Sequence, residues 1–158
     1  MATADDALLL DKQLCFALYS ASRAMTRAYG PVLEPLGLTY PQYLALLILW
    51  EEKRASVKEL GERLSLDSGT LTPLLKRLEQ RGLVTRRRDP DDERVVRIEL
   101  TAEGQKLRGR ARSVPGEIAC RAGLDVSDER KRARLERLRE ELVALAERIE
   151  ATSAKISR

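Results

Sequence analysis

Apolar residues recur along most of this chain at helical spacing, and glycine and proline mark where the spacing is interrupted. Asp5 to Tyr29 holds neither residue and ends at Gly30-Pro31, so it is predicted as one long helix. Pro31 to Gly37 has room for one or two helical turns. Pro41 stands where a first helical turn tolerates proline, and the run Tyr43 to Trp50 behind it is apolar nearly all round, as a central core helix would be. Ser56-Val57-Lys58-Glu59 fits a capping box, with Val57, Leu60 and Leu64 as the buried stripe of a short helix. Leu71, Leu74, Leu75 and Leu78 then repeat at helical spacing, and Gly82 is expected to close that helix in the left-handed conformation. Its start is open between Asp67 and Thr70. With Asp67 as the cap, Pro73 removes an internal hydrogen bond; with a cap nearer Thr70 the missing amide was unpartnered anyway.

The period changes next. Leu83 to Arg88 and Arg94 to Leu100 read as strands, joined by the polar turn Asp89-Pro90-Asp91-Asp92-Glu93. Two short helices followed by a hairpin make a winged helix-turn-helix. Thr101, with Glu103 or Gly104, opens a helix predicted to reach about Ala122, with a possible break at Pro115-Gly116. Ser127 or Asp128 caps a final helix in which Leu135, Leu138, Leu142, Leu145 and Ile149 alternate spacings of three and four, continued by Thr152 and Ile156. So narrow a seam predicts self-association, the alternative being a helix folded back onto the first one. The fold class is therefore mainly α with a small β-wing. Residues 1–158 form a single domain: an N-terminal dimerisation helix over 1–30, a winged helix-turn-helix over 31–101 and C-terminal dimerisation helices over 102–158.

Composition narrows the chemistry. The chain has 158 residues, 43% hydrophobic and 34% charged, enough for a core without disulfides or metal. It has no histidine, and its two cysteines lie 105 positions apart, which excludes His-assisted hydrolysis and most zinc or iron chemistry; no cofactor is expected. The uncharged run Leu38 to Trp50 is too short to span a bilayer, and no signal-peptide pattern opens the chain. Two cysteines in such a chain suggest a reducing cytoplasm. The net charge of +4 decides little, because most of the excess lies where acids and bases alternate along the last helices. Arg81 and Arg86 to Arg88 form the one local basic cluster; for at least two of Arg86 to Arg88 it means phosphate neutralisation or a solvated strand.

From Ser56 to Thr101 the sequence SVKELGERLSLDSGTLTPLLKRLEQRGLVTRRRDPDDERVVRIELT resembles the MarR family of winged-helix regulators, most specifically in the D-x-x-D-E-R turn ending at Arg94. The resemblance implies a homodimer with interlocked terminal helices, binding a palindromic double-stranded DNA operator. Ser68, Thr70, Thr72, Lys76 and Arg77 fall on the polar face of the second helix, suited to phosphates and base edges. Pro73 matches the family's recognition helix, Arg86 follows on the wing, and Arg94 matches the arginine that enters the minor groove.

Within that family the N-terminal half looks like the organic hydroperoxide resistance regulators. The residues that match are Cys15, Tyr19, Tyr29 and Tyr40, in Leu14-Cys15-Phe16-Ala17-Leu18-Tyr19 and Leu38-Thr39-Tyr40-Pro41-Gln42-Tyr43. The resemblance implies that Cys15 senses organic hydroperoxides, that the three tyrosines bond its sulfur, and that Cys120, as in the two-cysteine type, resolves it across the dimer. Phenol donors stabilise a thiolate, the form that attacks peroxide. Cys15 is expected about three turns into its helix, too deep for the helix dipole to act. Tyr29 lies roughly 21 Å further along that helix at about 1.5 Å per residue, so it reaches a Cys15 only across a dyad. Two rival readings remain at this point: a MarR-type repressor released by a phenolic or lipophilic ligand with inert cysteines, and a thiol peroxidase using Cys15. The second lacks the backbone-donor loop and charged partner such an enzyme uses.

Overall fold

The computed structural model describes residues 8–123 and 128–156. Two compact units are distinguished, one running through Pro115 and one from Gly116. The first holds α1 (Leu14–Leu33), α2 (Tyr40–Glu52), β1 (Arg54–Ser56), α3 (Val57–Leu64), α4 (Ser68–Gln80), β2 (Val84–Arg88), β3 (Val96–Leu100) and α5 (Ala102–Arg110). From Val114 the chain continues as α6 (Val114–Arg121), which carries it into the second unit, and that unit also contains α7 (Glu129–Ile156). The winged-helix class is as expected: mainly helical, with one small antiparallel sheet.

Core helix α2 buries Tyr43, Ala45, Leu46, Ile48, Leu49 and Trp50, and Thr39 with Gln42 forms a capping box at its start. Around it close Leu33 of α1, Leu60 of α3, Leu71, Leu75 and Leu78 of α4, and Val84 and Ile98 of the sheet, all buried. The Ser56–Glu59 box caps α3 in both directions. At the end of α4, Gly82 at φ +68° and Leu83 donate back to Glu79 and Leu78, the left-handed closure expected there.

Three expectations need correction, and one element goes beyond them. The first helix does not run from about Asp5. Asp5 to Ala7 lie outside the described residues, a 3₁₀ turn occupies Leu10–Lys12, and α1 begins only at Leu14. Nor does it stop at Gly30-Pro31. It continues through Pro31 to Leu33, because burying Val32 and Leu33 outweighs the hydrogen bond the proline removes. The break in the penultimate helix falls at a 3₁₀ turn over Ala111–Ser113, ahead of Pro115-Gly116. Lastly, Arg54–Ser56 forms a third strand on the edge of the wing hairpin, giving the order β1-β3-β2.

One close approach fixes α5 against the core. Thr101 caps α5, its hydroxyl accepting from the Gly104 amide at 3.0 Å and donating to the Gly82 carbonyl at 2.6 Å. Trp50 Nε1 donates to the Gly104 carbonyl at 2.9 Å. A Cβ at Gly104 would stand 2.1 Å from the Leu83 carbonyl oxygen, so only glycine fits.

In the second unit, α7 is one unbroken helix of 28 residues. Asp128 stands at its start and accepts from the Arg130 amide at 2.8 Å; Ser127, the other candidate cap, lies outside the described residues, as does the side chain of Ile156. Of the leucine seam, Leu138, Leu142 and Ile149 are exposed in the single chain, with Leu135 and Leu145 half-buried. Among the described residues no single helix is long and apolar enough to cross a membrane.

Candidate functional site

Cys15 is the second residue of α1 and is exposed. This overturns the expected depth of three turns. Gln13 at the N-cap makes no side-chain bond to the amides of that first turn, and the first turn is where a helix best accommodates negative charge. Phe16 and Leu18 beside it are half-buried. One turn on, Tyr19 is exposed, accepts a hydrogen bond from Arg23 at 3.1 Å and lies under the same guanidinium at 5.5 Å from the ring centroid.

Tyr29 and Tyr40 are brought together, but not beside Cys15 of the same chain. Tyr29 lies near the far end of α1, where its ring centroid is 4.4 Å from that of Tyr40 and 5.8 Å from that of Tyr43; Trp50 follows at 6.2 Å from Tyr43. Tyr43 and Trp50 were not among the expected site residues, although Tyr40, Tyr43 and Trp50 recur on α2 at spacings of three and seven. Burial, first of all, pushes the phenol pKa values of Tyr29, Tyr40 and Tyr43 up. For Tyr29 and Tyr43 the neighbouring phenols add to it. These hydroxyls therefore remain protonated, as hydrogen-bond donors, throughout the neutral range. Cys120 is exposed, one residue before the end of α6, and its thiol, like that of Cys15, is free. Among the described residues no group of three or more His, Cys, Asp or Glu side chains is gathered to hold a metal.

The second candidate surface is the outer face of α4. Asp67 proves to be its cap, accepting from the Thr70 amide and hydroxyl, each at 2.9 Å. That choice leaves Pro73 inside the helix, where the bond it removes is the one to the Gly69 carbonyl, on the solvent-facing side. Leu71, Leu74, Leu75 and Leu78 turn inward, and Ser68, Thr70, Thr72, Pro73, Lys76 and Arg77 are all exposed. A groove of about 860 Å³ separates α3 and α4 from the wing, with Thr72, Arg86 and Arg94 on its walls. Arg94 at the wing turn is almost fully exposed, its Nε 3.3 Å from Asp92.

Asp89 shapes that turn. Only 7% exposed, it bonds Arg97 Nε through one oxygen and accepts from the Asp91 amide at 2.9 Å through the other. The hydrogen bond from Arg97, then that from Asp91, holds its carboxyl below the ordinary carboxylate range. A depressed carboxylate contributes stability above its unfolded pKa, and that contribution is lost as pH falls through the folded value. Acidifying below about pH 4 is thus expected to loosen the wing turn before the helices. Amide hydrogen exchange at Asp91, followed by NMR, checks this. In Asp89→Asn the exchange should be faster at neutral pH and lose its acid dependence; equal protection in both proteins would contradict the brace.

Comparison with known proteins bears on both surfaces. A family model described as MarR family matches residues 38–96. The organic hydroperoxide resistance transcriptional regulator of Bacillus subtilis (strain 168) is 57% identical over 113 residues, 72% of this chain and 77% of that protein. The HTH-type transcriptional regulator TtmR of Methylorubrum extorquens (strain PA1) is 53% identical over 157 residues, 98% of this chain and 80% of its own length. AbfR of Staphylococcus epidermidis has been solved in several states. In its reduced, DNA-bound form it superposes with a TM-score of 0.68 at 37% identity, covering 91% of this chain and 99% of that one. In a disulfide-formed state the TM-score is 0.60 at 37% identity, over 90% and 96%.

Proposed function

Because this chain belongs to the MarR family and is a transcriptional regulator rather than an enzyme, we propose that it is a homodimeric repressor of the cytoplasm that senses organic hydroperoxides through Cys15. The carrying observation is the placement of an exposed thiol in the first turn of α1, on a chain 57% identical to a hydroperoxide resistance regulator. The exposed leucines of α7, over the proposed dimerisation region 102–158, supply the apolar seam, and Leu14 and Tyr19 of α1 are exposed as well. Two antiparallel α1 helices crossing near Ser22 would bring Tyr29 and Tyr40 of the partner subunit to each Cys15, with Tyr19 at hand from the same helix. Three phenols would then donate to one sulfur.

The DNA surface is assigned to region 31–101. Ser68, Thr70, Thr72, Pro73, Lys76 and Arg77 on α4 face the major groove, Arg86 lies along the wing, and Arg94 at its tip enters a minor groove. AbfR, a relative solved on DNA, supports binding of a double-stranded operator.

Oxidation proceeds in two balanced steps. The Cys15 thiol gives up its proton, the thiolate attacks the terminal peroxide oxygen, the O–O bond breaks, and the departing alkoxide takes up a proton in exchange and leaves as an alcohol, giving a sulfenic acid. The thiol of Cys120 of the partner subunit then attacks that sulfur, water leaves, and a disulfide remains. The two electrons taken up by the peroxide come from the two sulfurs. Bridged Cα atoms sit within about 7 Å, so closing the bond draws terminal helices together and changes the spacing of the two α4 helices that operator half-sites fix.

Intact mass under denaturing, non-reducing conditions after one equivalent of cumene hydroperoxide tests the scheme. A covalent dimer, lost in Cys120→Ser, is the expected result. Added oxygen on a monomeric Cys15 would keep the sensor and remove Cys120 from it. An unchanged mass would overturn the redox reading in favour of a ligand-released repressor with inert cysteines.

A further inference from the structure

Arg81 stands apart from the basic cluster in which its place in the sequence puts it. Its backbone closes α4, the amide donating to the Arg77 carbonyl at 3.2 Å, and its side chain reaches the connector between α1 and α2. There Nη2 donates to the Leu36 carbonyl at 2.9 Å and Nη1 donates to the Gly37 carbonyl. From the end of α5, Arg110 donates to the Pro35 carbonyl at 2.8 Å. Three successive carbonyls of one connector, Pro35 to Gly37, are thus taken by guanidinium groups from the ends of α4 and α5. Such charge-assisted bonds are stronger than neutral ones, and the planar fork fixes direction as well as distance.

Local folding does not call for the Arg81 contact. The connector closes on itself: a 3₁₀ turn over Glu34–Leu36 ends at Gly37, whose amide donates to the Glu34 carbonyl at 2.8 Å, while Leu38 donates back to Leu33 at 3.2 Å. Leu36 and Leu38 anchor it in the core. Gly37 is exposed, so water would satisfy its carbonyl equally well. What the guanidinium adds is a fixed span from the end of α4 to the segment joining the two tyrosine-bearing helices. Tyr29 precedes that segment on α1 and Tyr40 opens α2 just beyond it, their ring centroids 4.4 Å apart. On the other side Arg81 is followed by Gly82, where the chain turns toward the wing. One side chain therefore ties the phenol pair to both elements assigned to DNA.

We propose that Arg81 is the positioning residue that couples the phenol pair to α4, so that oxidation at Cys15 reaches the DNA-binding face through the connector carbonyls. The proposal rests on the sensing role of Cys15 put forward above. While the thiolate of Cys15 of the partner subunit accepts from Tyr29 and Tyr40, the adjoining ends of α1 and α2 are held in one arrangement. Oxidation removes that acceptor and frees the two helix ends to shift. The connector then moves as a block, because its own hydrogen bonds and buried leucines keep it rigid. The two-pronged Arg81 contact carries the shift to the end of α4, whose placement operator half-sites fix. Packed elements answer such a shift by switching between discrete arrangements. Arg81 itself touches neither peroxide nor, on this reading, DNA; its effect is on the coupling between the two sites.

The test uses the full-length protein and a palindromic duplex that the wild type selects from a random-sequence pool. Fluorescence anisotropy gives the operator affinity before and after one equivalent of cumene hydroperoxide, and non-reducing intact mass gives the extent of oxidation. Two variants break the contact from opposite sides. Arg81→Lys keeps the charge but has no fork to span two carbonyls. Gly37→Asn leaves α4 untouched: asparagine tolerates the φ of +64° better than most side chains, and its Cβ would stand 2.9 Å from Arg81 Nη2, the movable end of a side chain. Both should bind the duplex when reduced, which shows them folded, and should be oxidised to the same extent as the wild type. Peroxide should nevertheless weaken their binding by no more than about 2-fold, against about 5- to 150-fold in the wild type. The ratio of the two affinities is decisive, since a merely structural loss lowers both alike and leaves the ratio unchanged. A wild-type ratio in either variant overturns Arg81 as the link and leaves the sensor standing. In Arg81→Gln the slope of log affinity against log salt should match the wild type; a slope smaller by about 1 for each protomer would make Arg81 a phosphate contact and overturn the coupling role. A wild type that selects no duplex, or that peroxide does not release, overturns the sensing repressor itself and the coupling with it.

Discussion

Cys15→Ser is expected to give a protein that binds its selected operator like the wild type and is no longer released by an organic hydroperoxide. Serine keeps the size and the helical position in the first turn of α1, so reduced-state DNA binding is preserved, while a hydroxyl has no path to a sulfenic acid. In the wild type, peroxide should weaken operator binding by about 5- to 150-fold, the usual range of coupling between two sites on one protein. Fluorescence anisotropy on the same duplex before and after one equivalent of cumene hydroperoxide reads both. Release that persists in the variant would sink the sensing role of Cys15. In Cys120→Ser, Cys15 can still be oxidised once, and any release that survives there measures how far the sulfenic acid acts without the cross-link.

The second large effect is on stability, and two glycines of the same helix should respond with opposite sign. At Gly104→Ala the new methyl would meet the Leu83 carbonyl oxygen at 2.1 Å, and backbone cannot yield as a side chain does. Thr101 and Trp50, both bonded to Gly104, would be displaced with it. Urea unfolding should show a loss of about 3 kcal/mol, typical of forced overpacking, with an unchanged m-value. Gly109, also in α5, has nothing within 4 Å of an added Cβ. Gly109→Ala should stabilise by up to about 1 kcal/mol through helix propensity alone. Equal responses at the two positions would contradict the close approach at Gly104. The wing, β2 to β3, leads directly into this junction, so the wing and the core share one constraint.

Much of this molecule could be read from residues alone, and the reasons are local. Ser56 and Glu59 lie close in sequence and satisfy each other wherever the helix goes. The α4 stripe of four leucines, the left-handed Gly82 and the polar turn Asp89 to Glu93 are likewise settled by neighbours in sequence. The exposed polar set on α4 was legible because a helix with one apolar stripe exposes its other side. β1 was not. Three residues carry no period, and only pairing with β3 makes Arg54–Ser56 a strand.

The first helix shows the same division most sharply. Sequence named Cys15, Tyr19, Tyr29 and Tyr40, and the distance along a helix already kept Tyr29 from Cys15 of its own chain. Where the helix begins was beyond it, since no glycine or proline marks the change at Gln13, and absence of a breaker is not a start signal. The tertiary structure places Cys15 in the first turn of α1 and not three turns in. It also carried α1 past Pro31 because Val32 and Leu33 find a core to enter, and that placed Tyr29 against Tyr40 and Tyr43. Side-chain chemistry and helical period are properties of the chain itself, so residue types, the apolar faces and the winged-helix order were determined by sequence. Helix limits, the third strand and the environment of each reactive group depend on burial and pairing between distant segments, and only the folded chain decided those.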